Sequence, residues 1–167
     1  KVASGDINFL PILKEANKTK KLTIISTGAS KLNEISNIFK IFKNKKKVIL
    51  MHCISNYPTS IENANLINIP YFKKKFGVNV GYSNHVLGTS ACEVAITLGA
   101  RIIEFHFTDN KKRSFIDHQI SFEPKDFIKL KNKSEQIIKS IGTKRFNQFP
   151  SEKNFKELRK GIIYLND

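Results

Sequence analysis

Short apolar runs alternate with longer amphipathic stretches along this chain. The runs cover residues 2–4, 22–26, 48–52, 80–83 and 102–107. They are mostly aliphatic and do not alternate strictly with polar residues, which predicts strands buried on both faces of a parallel sheet. Their starts lie about 20 to 32 residues apart. Between them the apolar positions take helical spacing. Leu32, Ile35, Ile38, Phe39 and Phe42 fall on one face of a helix over 31–42, with Ser30 as its expected N-cap. Further helices are expected over 11–18, 65–76, 89–98 and 125–141, the last stopping at Gly142. Strand–helix alternation with this period means βαβ units.

Such units can build an open doubly wound sheet or part of an eight-stranded barrel. The strand ends decide between them. Ser4-Gly5-Asp6, Ser26-Thr27-Gly28, His52-Cys53, Ser83-Asn84-His85 and His106-Phe107-Thr108-Asp109 are polar or small apart from Phe107. A barrel collects every strand's C-terminal end at one site, whereas an open sheet uses only its switch point. The expectation is therefore an α/β fold, the C-terminal part (about strands 4–8) of a (β/α)8 TIM barrel. It occupies residues 1–142, and 143–167 form a linker toward a further domain. A complete barrel takes roughly 200–250 residues, so a piece of a longer protein is expected, lacking three preceding βα units.

Composition changes little in this picture. The 167 residues are 40% hydrophobic and 26% charged, which excludes wholesale disorder. No apolar run approaches the roughly 20 residues of a membrane span. Two cysteines make no disulfide framework, so a reducing, cytoplasmic setting is expected. The net charge is +15, but 25 of the 29 basic residues are lysines scattered in short runs. Nucleic-acid readers concentrate arginines and aromatics on one element, so a solvated lysine surface is the reading and nucleic acid is not an expected partner. There is no G-x-G-x-x-G and no Walker-type loop.

The candidate chemistry sits at the strand ends. His52, His85 and His106 each end a strand, and His85 and His106 are one βα unit apart. Two neutral imidazoles on adjacent strands suit a divalent metal with positions left for water and substrate. The alternative, that each is a hydrogen-bonded rim residue, stays open. Ser4, Ser26 and Ser83 also end strands, with Gly5 and Gly28 close by. Hydroxyls and exposed backbone N–H groups make anion-binding rims, and Lys1 would add charge to a phosphate or carboxylate pocket. Equally, serine and glycine simply populate tight turns. Tyr57 and Asp117 lie in loops after their strands, as substrate-facing groups or as ordinary loop residues.

These segments together resemble the sialic acid (N-acetylneuraminate) synthase family of phosphoenolpyruvate-dependent nonulosonate synthases, with its legionaminate and spore-coat relatives. The carriers are KVASGD (1–6), IISTGAS (24–30), MHCISNYPT (51–59), VNVGYSNHVLGTSA (78–91), LGARIIEFHFTD (98–109) and DHQISFEPKDF (117–127). They come in the family's order and spacing across nearly the whole chain. The resemblance implies condensation of phosphoenolpyruvate with an N-acyl amino sugar, N-acetylmannosamine or a legionaminate-type precursor, to a nine-carbon keto acid with release of phosphate. It implies a divalent metal, Mn2+ or Mg2+, on His85 and His106. Lys1, Ser4, Ser26, Ser55 and Ser83 would hold phosphoenolpyruvate, and Tyr57 and Asp117 would be catalytic groups on the sugar side. The parent would be a homodimer, and a C-terminal antifreeze-like domain would follow PSEKN (150–154). The competing expectation is a non-catalytic barrel fragment that needs the missing strands or a partner.

Three departures from the family pattern bear on the site. Asn84 replaces a usual Asp before the first metal-side histidine, Phe105 replaces a usual Lys or Arg before the second, and Phe115-Ile116 replaces Gly-Pro before Asp117. Loss of the carboxylate at 84 is expected to weaken the metal site. His52 matches the branch with His rather than Lys, which disfavours a pseudaminate product.

Overall fold

The computed structural model describes residues 1–114, 116–143, 149–152 and 155. Four strands, β1 (Thr23–Ser26), β2 (Val48–His52), β3 (Asn79–Asn84) and β4 (Ile103–Phe105), form one parallel sheet in chain order. Five helices accompany them: α1 (Leu10–Lys18), α2 (Leu32–Ile41), α3 (Asn68–Phe76), α4 (Ser90–Thr97) and α5 (Pro124–Ile141). Consecutive parallel neighbours joined by helical crossovers are the βαβ succession that the hydrophobic pattern requires.

The first expected strand is reduced to a single parallel bridge, Val2 to Ile25. Ser4–Asp6 immediately winds into a 3-10 turn, so only one residue remains to pair. The N-cap of α2 is Lys31, not Ser30, because the Glu34 carboxylate accepts the Lys31 N–H at 2.6 Å. Helix α3 starts three residues later than expected, since Glu62–Ala64 forms a 3-10 turn and Asn65 takes a left-handed conformation. Helix α5 begins with proline in its first turn, and the Asp126 carboxylate accepts the Glu123 N–H. It ends at Ile141. The linker expected over 143–167 lies mostly outside the described residues.

Parallel register assigns side chains to faces. Ile25, Leu50 and Val80 share one face and pack under the helices with Ile35, Ile38, Phe42, Ile69, Phe72, Ala91 and Ala95. Each of the larger side chains among these contributes about 1.5–3 kcal/mol by leaving water. The opposite face carries Ser26, Met51 and Gly81 in one layer and Ser83 with Glu104 in the next. A Cβ on Gly81 would overlap the Met51 sulfur and stand 2.7 Å from the Ile102 carbonyl oxygen. Only glycine lets the inner layer close there.

This second face is concave. Lys1 precedes the bridge to β1 at one edge, and Glu104 lies on β4 at the other. On a flat sheet these edges would be about 19 Å apart, four strand spacings of roughly 4.8 Å. Yet Lys1 Nζ donates to Glu104 Oε1 at 2.7 Å. The sheet is therefore rolled into one side of a barrel.

Candidate functional site

The rolled sheet gathers the C-terminal ends of its strands at the concave rim. His85 follows β3 and is buried. Its Nδ1 lies 2.6 Å from the Ile54 carbonyl oxygen, so Nδ1–H donates and the neutral ring keeps its Nε2 lone pair. Burial pushes the His85 pKa down, the Ile54 bond opposing and nearby His106 adding to the drop. The ring therefore stays a neutral, potential metal donor at ordinary pH.

His106 follows β4. Its ring centroid lies 5.5 Å from that of His85, and its Nδ1 is 3.6 Å from Asp117 Oδ2. That is a close polar approach, too long for a hydrogen bond. Tyr57 closes over both imidazoles, tilted on His85 at 4.2 Å and edge-on to His106 at 5.7 Å. Burial, with Cys53, Asp117 and Glu104 near it, raises the Tyr57 pKa, so the hydroxyl is kept as a donor. Among the described residues no group of three or more His, Cys, Asp or Glu side chains could hold a metal. Two imidazoles with their Nδ1 atoms turned to Ile54 and Asp117 fit a divalent ion that completes its shell from water and substrate.

Lys1 and Ser83 meet through a residue that the sequence reading missed. Ser83 Oγ donates to Glu104 Oε1 at 2.7 Å, the same oxygen that takes the Lys1 bond. Burial works against the Glu104 charge, but the Lys1 and Ser83 bonds and the Lys1 charge win and hold its carboxyl below the usual range. The signal was available. In Ile103-Glu104-Phe105 the flanking side chains pack against the helix-side core, so a period of two sends the acid inward.

Ser4 and Ser55 meet around Gly28. The Gly28 N–H donates to Ser4 Oγ at 3.0 Å, and Ser4 Oγ lies 3.4 Å from Cys53 Sγ. A Cβ on Gly28 would overlap Ser55 Oγ and stand 2.9 Å from Ser4 Oγ and 3.0 Å from Cys53 Sγ. Ser26 is on the same face but buried one layer deeper, beside Met51.

Asp117 sits in the loop after β4 with φ +70°, a left-handed conformation. Ser121 bonds back to the Asp117 carbonyl through both Oγ, at 2.7 Å, and N–H, at 3.1 Å.

Three expectations need correction. His52 ends β2 but turns to the helix side, where its Nε2–H donates to the Ala64 carbonyl at 2.8 Å between Phe72 and Tyr82. It lies outside the rim and does not face the sugar side. Asn84 is also turned away: its Nδ2 donates to Val86 O at 2.8 Å and its Oδ1 accepts the Val86 N–H at 3.2 Å. It fastens the following loop and faces away from the imidazoles. Phe105 stacks on Phe122 at 4.5 Å on the helix side, away from the histidines.

The NeuB family profile matches residues 1–146. The chain is 40% identical over 166 residues to an uncharacterized protein of Methanocaldococcus jannaschii, covering 98% of this chain and 49% of that protein. It is 36% identical over 172 residues to N,N'-diacetyllegionaminic acid synthase of Campylobacter jejuni, covering 100% of this chain and 52% of the relative. Among solved structures, N-acetylneuraminic acid (sialic acid) synthetase from Leptospira borgpetersenii, in complex with citrate, superposes with TM-score 0.88 at 37% identity. The match covers 96% of this chain and 56% of that one. The chain thus spans about half the length of the relatives it matches. With its curved parallel sheet, paired rim histidines and this match over most of its length, the chain belongs to the NeuB family.

Proposed function

We propose that this chain carries one wall of the active site of a synthase that joins phosphoenolpyruvate to an open-chain N-acyl amino sugar. Water is consumed, phosphate is released, and a nine-carbon keto acid results. The observation that carries the reading is the convergence of Lys1, Ser83 and Glu104 with His85, His106 and Asp117 on one concave rim. Family membership supports the reaction class, and the legionaminate relative supports an acceptor of that kind.

A divalent metal, Mn2+ or Mg2+, held by His85 and His106 would act as a Lewis acid on the sugar aldehyde. Lys1, Ser4 and Ser83 hold the phosphate and carboxylate of phosphoenolpyruvate, with Ser55 at the edge of the same cradle and Ser26 supporting it from below. Asp117 and the Tyr57 hydroxyl orient the sugar. Glu104 shares Lys1 with the incoming anion, which places a carboxylate where a proton must be handled. The parent enzyme acts as a homodimer, and cytoplasmic location follows from its substrates; among the described residues no helix is long and apolar enough to cross a membrane.

The open edge favours a second reading for these 167 residues taken alone. Among the described residues the β4 segment pairs beyond β3 through the single Phe107–Phe122 bridge alone, and Phe107 and Ile128 beside it are more than half exposed. On that reading the chain is inactive until further barrel strands cover this side. The test supplies manganese, phosphoenolpyruvate and N-acetylmannosamine or a legionaminate-type precursor, and measures phosphate release from the full-length protein and from residues 1–167. Release by the full-length protein alone supports both readings. No sugar-dependent release from either overturns the synthase.

A further inference from the structure

The loop between β4 and α5 returns Asp117 to His106 by an arrangement that neither the motifs nor the family match assigns. Two backbone bonds close its base: Phe122 N–H to His106 O at 2.7 Å and Thr108 N–H to Phe122 O at 2.9 Å. Inside it the Thr108 hydroxyl is a hub. Thr108 Oγ1 lies 2.8 Å from His118 Nδ1, accepts the Asn110 N–H at 3.1 Å and lies 3.2 Å from Asn110 O. Thr108 is 4% exposed, so these bonds are shielded from competing water. His118 directly follows Asp117, whose left-handed backbone needs a fixed neighbour on each side.

We infer that Thr108 and His118 form a clasp that sets Asp117 against His106, and that both are positioning residues for the acceptor-sugar side of the site. Neither needs to touch substrate. The Thr108 hydroxyl fixes the His118 ring, the ring fixes the peptide next to Asp117, and Ser121 anchors the Asp117 carbonyl from the other side. Without the clasp the φ +70° conformation loses one of its supports, and the carboxylate leaves its place 3.6 Å from the imidazole. Phosphoenolpyruvate is held from Lys1, Ser4 and Ser83, so its binding is insensitive to the clasp.

This inference rests on the synthase reading for its kinetic arm only. In the full-length protein, Thr108→Val and His118→Leu are each expected to raise KM for the acceptor sugar about tenfold, with KM for phosphoenolpyruvate unchanged. Thr108→Ser should restore the wild-type value. The double variant should fall short of the sum of the two singles, because both remove the Thr108–His118 bond. Additive effects, or equal rises in both KM values, would overturn the clasp. Amide hydrogen exchange supplies the arm that does not depend on activity: the Ser121 N–H should lose protection in Thr108→Val and keep it in Thr108→Ser. Unchanged protection in Thr108→Val sinks the inference. If no variant and no wild-type protein releases phosphate while exchange behaves as expected, the synthase reading fails and the clasp stands.

Discussion

The Nζ of Lys1 and the Oε1 of Glu104 lie 2.7 Å apart although 103 residues and the whole width of the sheet separate them in the chain. The contact reports the curvature of the sheet and charges its rim at the same place. Both side chains remain about two-fifths exposed, so the pair contributes about 0–1 kcal/mol to stability. Its weight falls on chemistry. Glu104→Gln should shift the thermal midpoint little but lower kcat by about 100-fold, without raising KM for phosphoenolpyruvate, because the anion no longer competes with a carboxylate for Lys1. Steady-state kinetics beside a melting curve separates the effects; an unchanged kcat would remove Glu104 from the reaction.

Gly28 is where the proposed phosphate cradle is tightest. A methyl group there must displace Ser55, Ser4 and Cys53 together, and overpacking of this kind costs about 1–3 kcal/mol. Gly28→Ala should therefore raise KM for phosphoenolpyruvate at least about tenfold. Acceptor-sugar KM should hold, since Asp117 is on the other side of the rim. A variant with normal phosphoenolpyruvate affinity would mean that Ser4 and Ser55 do not bind it.

Asn84 is 1% exposed, and its amide donates to two carbonyls, Val86 O at 2.8 Å and Gly88 O at 3.4 Å. Asn84→Asp would turn a carboxylate oxygen toward those carbonyls. The expected loss is about 1–3 kcal/mol, read by denaturant unfolding of the full-length protein at pH 7. Equal or greater stability in the variant would show that the loop accepts the acid.

His52 makes stability depend on pH. Burial holds its pKa below the ordinary value, against the pull of its bonds to the Ala64 and Asn65 backbone. Below about pH 6.5 the unfolded chain takes up a proton that native His52 refuses. Its stability contribution is thus complete above that pH and is lost as pH falls through it toward the native value. His52→Gln keeps a donor for Ala64 and should flatten part of the decline, to which His85, also lowered by burial, adds. Melting curves from pH 5 to 8 give the slope; identical slopes in variant and wild type would contradict this.

Much of this was legible from spacing. The period of apolar runs located four strands and five helices, and polar strand ends identified the rim before any geometry was known. What spacing could not give was direction. His52 and His85 both end strands and read alike, yet one faces Phe72 and the other Ile54 and His106. Asn84 read as a neighbour of the metal side because it precedes His85, but adjacent residues of a strand point to opposite faces. Glu104 was hidden by its apolar neighbours, although those neighbours were the clue. The shrinkage of the first strand turned on a 3-10 turn at Ser4–Asp6, a local choice that an apolar triplet does not encode.

The last strand also explains how two sets of demands coexist in six residues. Ile103 and Phe105 serve the helix layer, whereas Glu104, His106 and Thr108 serve the rim. Each set can vary without touching the other, so a phenylalanine at 105 leaves the histidines undisturbed. Insertions have no such freedom. One residue gained or lost between Ala100 and Ile103 would exchange the sets wholesale, driving a carboxylate and an imidazole under the helices and setting two phenyl rings in the cleft. The segment therefore tolerates substitution at alternate positions but not a change of length by one.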